Sequence, residues 1–253
     1  MLFALLALAQ VCPPQKLQAA RFSVGEVLTF KLDVLGADVG TFEVRTEAPP
    51  ADADKRSVLE LSSRAKTSAF VSTNLGQYQA YATTQLGRDF APLKYREDVD
   101  EGETHRGTEV AFPPAPPGGA LAVKATRNGE PEKVELTANP DVRDILSALY
   151  VFRAQPMRAG SPVCMEVFAG RKIWKVTGSA AAFETIETPL GKLRSLRIDA
   201  ESVRTDDARV KRTAHVWVSD DERRLPLVAI GEMRGKVLRA TLTAASGTKR
   251  AAR

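Results

Sequence analysis

The sequence predicts a mainly β protein: an antiparallel curved sheet or incomplete β-barrel in two strand-rich halves, with one helix at about 140–154. Three observations predict it. Short runs alternating apolar and polar residues recur along most of the chain, the period of a strand with one wet face. Breaks rich in Gly, Pro, Asp or Asn separate them at the spacing of an antiparallel meander. A single stretch, 139–156, carries helical periodicity instead.

In order, "EVLTFKLDV" places Leu28, Phe30, Leu32 and Val34 on one face and Thr29, Lys31 and Asp33 on the other. "GADVG" reads as the turn that follows, and "TFEVR" as the returning strand. Residues 47–56 form a polar loop, "VLELSSR" a third strand, and 67–75 fit either a short helix or a strand. "QYQAYATTQ" and "LKYREDV" continue the sheet, and "FPPAPPGG" at 112–119 interrupts it, since four prolines and two glycines sustain neither ladder. The next two strands flank Asn128-Gly129, a hairpin dipeptide.

The helix follows. Asn139 is expected to cap it, Pro140 to sit at its first position, and Asp141 and Asp144 to suit its positive end. Val142, Ile145, Leu146, Leu149 and Tyr150 form its apolar stripe, which covers a side or open end of the sheet. From Val163 seven further strands are expected, with "RKIWKVTGSA" and "FETIETP" as two of them, and with breaks at Gly170, Gly191, "RTDDA", "SDDERR" and Gly235.

The composition is that of an ordinary globular chain: 253 residues, 43% hydrophobic and 26% charged. The net charge of +5 comes from 36 basic residues interleaved with 31 acidic ones, a pattern that does not suggest a nucleic-acid footprint. "MLFALLALAQV" is too short to span a bilayer, which takes about 20 apolar residues, and suits a secretory signal. The division expected is therefore a signal peptide at 1–20, cleaved near Ala19 or Ala20, a β-rich domain at 21–246, and a basic disordered tail at 247–253 carrying Lys249, Arg250 and Arg253. Lipid anchoring through Cys12 is the alternative, although Val11 is a poor residue before a lipidated cysteine. Removal of 1–20 would leave Cys164 alone, with neither a disulfide nor a cysteine-held metal. No later segment is long and apolar enough to cross a membrane.

Nucleotide, zinc-protease, serine-hydrolase and CxxC motifs are absent, and no cofactor or metal is expected. Cys164 and His215, oriented by Asp220, could serve as nucleophile and base, but Cys164 opens an apolar strand where cysteine packs as a small hydrophobe. His105 belongs to a polar hairpin tip. Asp206-Asp207 and Asp220-Asp221-Glu222 flank one strand and lie about 30 Å apart at the usual rise, too far for one site. Asp220 to Arg224 reads as a turn, with Asp221 and Arg224 spaced to pair across it or to cap its amides. Phe30, Ile173 and Trp174 would face an apolar ligand if the barrel is hollow, and make ordinary core if it is filled.

Three segments, in order, resemble a bacterial family, domain of unknown function 3108, typical of exported proteins of Gram-negative bacteria. "GEVLTFKLDVLGADVGTFEV" carries Gly25, Glu26 and Gly40. "DVRDILSALYVFRAQPMRAGSPV" carries Asp144, Ser147, Tyr150 and Arg153. "ETPLGKLRSLRID" and then "VWVSDDERRLPLVAIGEMRGKVLRATL" bring Trp217, Ser219, Asp221, Arg224 and Pro226. The resemblance spans roughly residues 22 to 245. It implies an antiparallel β-rich protein of the periplasm or outer envelope without an assigned reaction. The expected function is non-enzymatic: binding a lipid or other apolar envelope component in the curved sheet. A hydrolase or transferase of an envelope polymer, and a structural or protein-interaction module, are the rival expectations. The oligomeric state is not legible.

Overall fold

Alternation at period two becomes fifteen strands in one sheet in the computed structural model, which describes residues 12–13, 16–18, 22–113, 119–233 and 235–247. Residues 1–11 of the expected signal and the basic tail beyond 247 lie outside the described residues.

The first half is a meander of eight strands: β1 (Val27–Val34), β2 (Ala37–Glu47), β3 (Leu59–Thr67), β4 (Tyr78–Leu86), β5 (Pro92–Glu101), β6 (Thr104–Ala111), β7 (Ala122–Arg127) and β8 (Glu130–Glu132). A short helix, α1 (Ala69–Asn74), links β3 to β4 with Ser68 as its cap. The second half comprises β9 (Arg143–Asp144), β10 (Pro162–Ala169), β11 (Lys172–Thr188), β12 (Gly191–Arg204), β13 (Lys211–Ser219), β14 (Pro226–Met233) and β15 (Lys236–Ser246). Helix α2 (Ile145–Ala154) stands between β9 and β10.

Pairing of β1 with β15, from Val27 opposite Ser246 to Val34 opposite Leu238, joins the halves, and β8 and β9 are left as the two edges. The sheet therefore curves without closing. Side chains bridge the seam in place of a ladder. Arg171, in the β10–β11 turn, donates to Thr108 Oγ1 (2.9 Å), Glu132 Oε2 (2.5 Å) and the carbonyls of Gly107 and Thr126 (both 2.8 Å). Asn139 donates through its backbone and side-chain nitrogens to Glu166 on β10.

Several local expectations need correction. The first turn is Leu35-Gly36, both at positive φ (51° and 86°), so "ADVG" is already strand. Such a two-residue turn matches the twist of the strands it joins. Gly40 serves sheet packing instead, because a Cβ there would overlap the Lys66 carbonyl. The two strands expected over 171–189 are one, β11, bent by a bulge between Ala180 and Phe183.

The helix also starts later than expected. Arg143 and Asp144 are held extended by parallel pairing with Val167 and Phe168, so neither Asn139 nor Pro140 begins it. Asp144 is the cap, accepting from the amides of Leu146 (2.9 Å) and Ser147 (3.1 Å). That rotates the stripe: Ile145 is 48% exposed, while Leu146, Ala148, Tyr150 and Val151 are buried. On one side α2 meets Val44, Leu61 and Tyr95 of the first half; on the other it meets Met165 and Val167 of β10. The helix thus packs inside the curve as a plug.

Cys12 and Cys164 form a disulfide, with Cα atoms 5.2 Å apart. The expectation that Cys164 stands alone rested on removal of residues 1–20, and it does not hold for this structure. Leu17 packs beside Val151 and Met165, and the Gln18 amide donates to Ala154 O (2.8 Å), so the segment after Cys12 lies along α2.

Candidate functional site

Glu26 of the first segment meets Tyr150 and Arg153 of the second on α2, and the turn of the third segment joins them through a backbone carbonyl. Glu26, fully buried before β1, accepts from Arg153 Nη1 (2.5 Å) and Nη2 (2.9 Å) and from the Tyr150 hydroxyl (3.3 Å). Tyr150 also shares a 2.8 Å hydrogen bond with Thr46 of β2. Burial pushes the Tyr150 hydroxyl up to about 12, so it stays a neutral bridging group. The Arg153 guanidinium lies over the rings of Phe22 (5.0 Å) and Tyr150 (4.9 Å). Its Nη2 also donates to the Arg223 carbonyl (3.2 Å), which ties the β13–β14 turn to the cluster.

At the N-terminal end of α2, Asp144 Oδ1 accepts from Thr84 Oγ1 (2.8 Å) as well as from its cap amides. Ser147 Oγ returns a hydrogen bond to Asp144 O (3.0 Å). Burial raises the Asp144 carboxyl, against these hydrogen bonds. Gly25, at φ 89°, turns the chain so that its amide reaches Thr46 O (2.8 Å). These interactions hold α2 inside the sheet. They are buried contacts between protein groups.

The charged turn behaves as a lock. Asp221 Oδ1 accepts from Ser219 Oγ (2.7 Å) and the amides of Arg223 (3.0 Å) and Arg224 (3.2 Å), and Ser219 Oγ in turn accepts from the Leu225 amide (2.8 Å). The ion pair is with Arg223 (2.6 Å), so of the two alternatives expected here the capping of the amides holds and the pair with Arg224 does not. Arg224 takes a left-handed backbone (φ 48°) and directs Nη2 to Met157 O (3.4 Å). Trp217 donates to Glu184 (2.9 Å), and Pro226 opens β14 beside a bulge. A polar recess of about 320 Å³ beside this turn is shared by Gln18, Arg153 and the acids Asp220, Asp221 and Glu222.

Burial raises the Asp221 carboxyl, but the hydrogen bonds and charge of Arg223 outweigh it and hold the group below its ordinary value. Asp221→Ala is expected to lower stability by about 1–2 kcal/mol at pH 7, the scale of a lost capping residue. The sign follows from linkage: a depressed carboxylate stabilises above its unfolded value, near pH 4, and ceases to do so as pH falls through the folded one. Urea titrations at pH 7 and at pH 3 should therefore show the gap between wild type and variant narrowing in acid.

The nucleophile–base pair does not assemble. Cys164 is in the disulfide, and β11 and β12 separate its strand from that of His215. His215 Nδ1 lies 2.6 Å from Asp199, and Asp220 pairs with Arg194 (3.3 Å). His105 is the second residue of β6, exposed, against Asp100 (2.7 Å). Asp206 is held below the carboxylate range first by its hydrogen bond from Arg204 and then by Lys172, as Asp207 is by Arg209. Among the described residues no group of three or more His, Cys, Asp or Glu is placed to hold a metal ion.

The concave face opens into a cavity of about 810 Å³. Its floor is the inward row of β1 to β5 and β15, with Leu32, Phe42, Tyr78 and Ala240 among its residues; Ile145 and Leu146 of α2 close one side and Leu75 after α1 another. Small side chains make the hollow. Ser63 and Ala65 on β3 stand opposite Ala82 and Ala80 on β4, so two adjacent strands lack bulk on the inward face. Phe30, Ile173 and Trp174 do not line it. Phe30 packs with Leu225, Leu227 and Leu242, and Ile173 joins the cluster around Phe168. Trp174 donates to Ala169 O (3.2 Å) beneath Arg212, 4.4 Å above its ring. The signal for the cavity was the small pairs at i, i+2 on adjacent strands, which period-two reading alone counts as ordinary strand.

A family profile described as "Protein of unknown function (DUF3108)" matches residues 28–243. No curated protein matches the chain. Among solved structures, a β-barrel-like protein of domain of unknown function DUF1849 from Brucella abortus superposes with a TM-score of 0.58 at 9% identity, covering 88% of this chain and 98% of that one. That likeness is one of fold alone. A protein from Bacteroides fragilis, provisionally described as exported and YmcC-like in fold, gives 0.36 at 9% identity over 91% of this chain and 100% of its own. A provisionally described lipoprotein from Parabacteroides distasonis gives 0.36 at 8% identity, over 90% and 100%.

Proposed function

This chain belongs to the DUF3108 family of proteins of unknown function, and on that footing we propose that it is an exported, non-enzymatic envelope protein that holds a lipid or other apolar component in its concave cavity. The cavity carries the reading. At about 810 Å³ it falls within the ~300–1,000 Å³ usual for small-molecule sites, and its walls are mainly apolar with few polar groups. A filled β-barrel would place larger side chains where Ser63, Ala65, Ala80 and Ala82 stand. The separation of Cys164 from His215 weighs against the form of the hydrolase or transferase alternative that uses Cys164 as its nucleophile.

Location in the periplasm or outer envelope is supported by the disulfide, because such bonds persist in oxidising compartments. The same bond takes the Cys12 thiol that lipid anchoring would need, and it keeps Cys12 within the folded protein. Among the described residues no helix is long and apolar enough to cross a membrane.

Two measurements test the proposal. Mass spectrometry of lipid extracted from protein purified from its native envelope should find one class enriched over the bulk membrane. Ala80→Trp, which places an indole in the hollow, should weaken binding of an apolar fluorescent reporter at least ~10-fold while leaving the unfolding free energy within ~0.5 kcal/mol of wild type. Unchanged reporter binding in that variant, with no enriched lipid, would sink the cavity reading.

A further inference from the structure

The cavity wall is uneven in charge. Inward positions of β5 are 95, 97, 99 and 101, and two of them, Glu97 and Glu101, bring carboxylates to the lining. Glu101 is matched by Arg106, whose Nη2 donates to it at 3.1 Å. Among the described residues Glu97 has no ion pair, and its partner is the hydroxyl of Tyr95, itself 1% exposed. Burial raises its carboxyl, with Asp98 adding to that and the charges of Arg106 and Arg171 opposing it.

Neither guanidinium is available to a ligand. Arg106 is held by Glu101, Arg171 by Glu132 and the bonds across the seam, and neither lines the cavity. Lys66, the one lining residue with a cationic side chain, alternates to the outer side of β3 and is exposed. Among the described residues, a ligand in the hollow therefore meets a carboxylate in a mainly apolar wall, with the one lining lysine directed outward.

We infer that the cavity takes an alkyl or acyl amphiphile whose polar group is neutral or cationic, with Glu97 as the specificity-determining residue that excludes chains ending in a carboxylate. The inference rests on the cavity reading above and names the ligand class for it. Like charges brought within a few ångströms at low effective dielectric repel strongly enough to weaken binding tenfold or more.

Displacement of an apolar fluorescent reporter from the purified full chain at pH 8 provides the test, using dodecanol, dodecylamine and dodecanoate below their micelle concentrations. The alcohol and the amine should displace the reporter at concentrations at least ~10-fold lower than the carboxylate. In Glu97→Gln the carboxylate should gain that factor while the alcohol is unchanged. Equal displacement by dodecanoate and dodecanol in the wild-type protein would overturn the role of Glu97 and leave the cavity reading standing. That result needs no variant to fold. An unaltered preference in a folded Glu97→Gln protein would also overturn it. Failure of the reporter and all three chains to bind would overturn both readings.

Discussion

Arg153→Met is expected to lower the stability of the fold by about 3–5 kcal/mol, the scale for breaking a buried ion pair on one side only. Glu26 has no exposed surface and the Arg153 side chain is 1% exposed, so removing the guanidinium leaves a carboxylate whose remaining partner among the described residues is the Tyr150 hydroxyl at 3.3 Å. The stacking over Phe22 and Tyr150 and the bond to the Arg223 carbonyl are lost as well. Much of the cost is the stranded charge and not the lost attraction. Glu26→Gln in the Arg153→Met background should therefore recover part of the stability, placing the double variant between the single one and wild type. Urea unfolding of the three proteins measures the order. A single variant within ~0.5 kcal/mol of wild type would mean that the pair does not hold α2 in the sheet.

Opening the Cys12–Cys164 bond should cost a comparable amount. It closes a span of 152 residues, for which the chain-entropy treatment gives about 5 kcal/mol at the upper end. The bond also fixes the segment whose Leu17 and Gln18 contact α2 and β10. Cys164→Ala should shift the urea midpoint down, and reductant should move the wild-type protein to the same place while leaving the variant unaffected. Peptide mapping of protein from the envelope, without reduction, should recover Cys12 joined to Cys164. A mature amino terminus beyond Cys12 would refute both the bond's role and the retention of that segment.

How much of this was legible can be judged from particular residues. The strands were, because alternation such as Leu28, Phe30, Leu32 is written within one element and reports directly on one buried face. The helix was legible in its body but not at its start. Asn139-Pro140 carries a stronger local cap signal than Asp144, yet pairing of Arg143 and Asp144 with β10 prevails. The Asp220–Arg224 run was readable as a turn, and Asp221 as its cap, since those bonds span two or three residues. Of the two expectations for the turn, capping of its amides holds and pairing with Arg224 does not: the left-handed backbone of Arg224 turns its side chain to Met157 and leaves Arg223 beside the carboxylate.

By itself, then, the sequence determined the β class, the two strand-rich halves, the helix between them and the family resemblance, all of which are expressed in periodicity or in residue order. The tertiary structure alone decided that Glu26 meets Arg153 across 127 positions, that Cys12 reaches Cys164, and that Arg171 bridges the seam of an unclosed sheet. It also decided that the hollow lies over Ala65 and Ala80, whereas Phe30, Ile173 and Trp174 are core. The physical reason is the same in each case. Period-two patterning says which side chains face inward, but the curvature of the sheet and the seating of the helix decide which of them meet and which enclose a space.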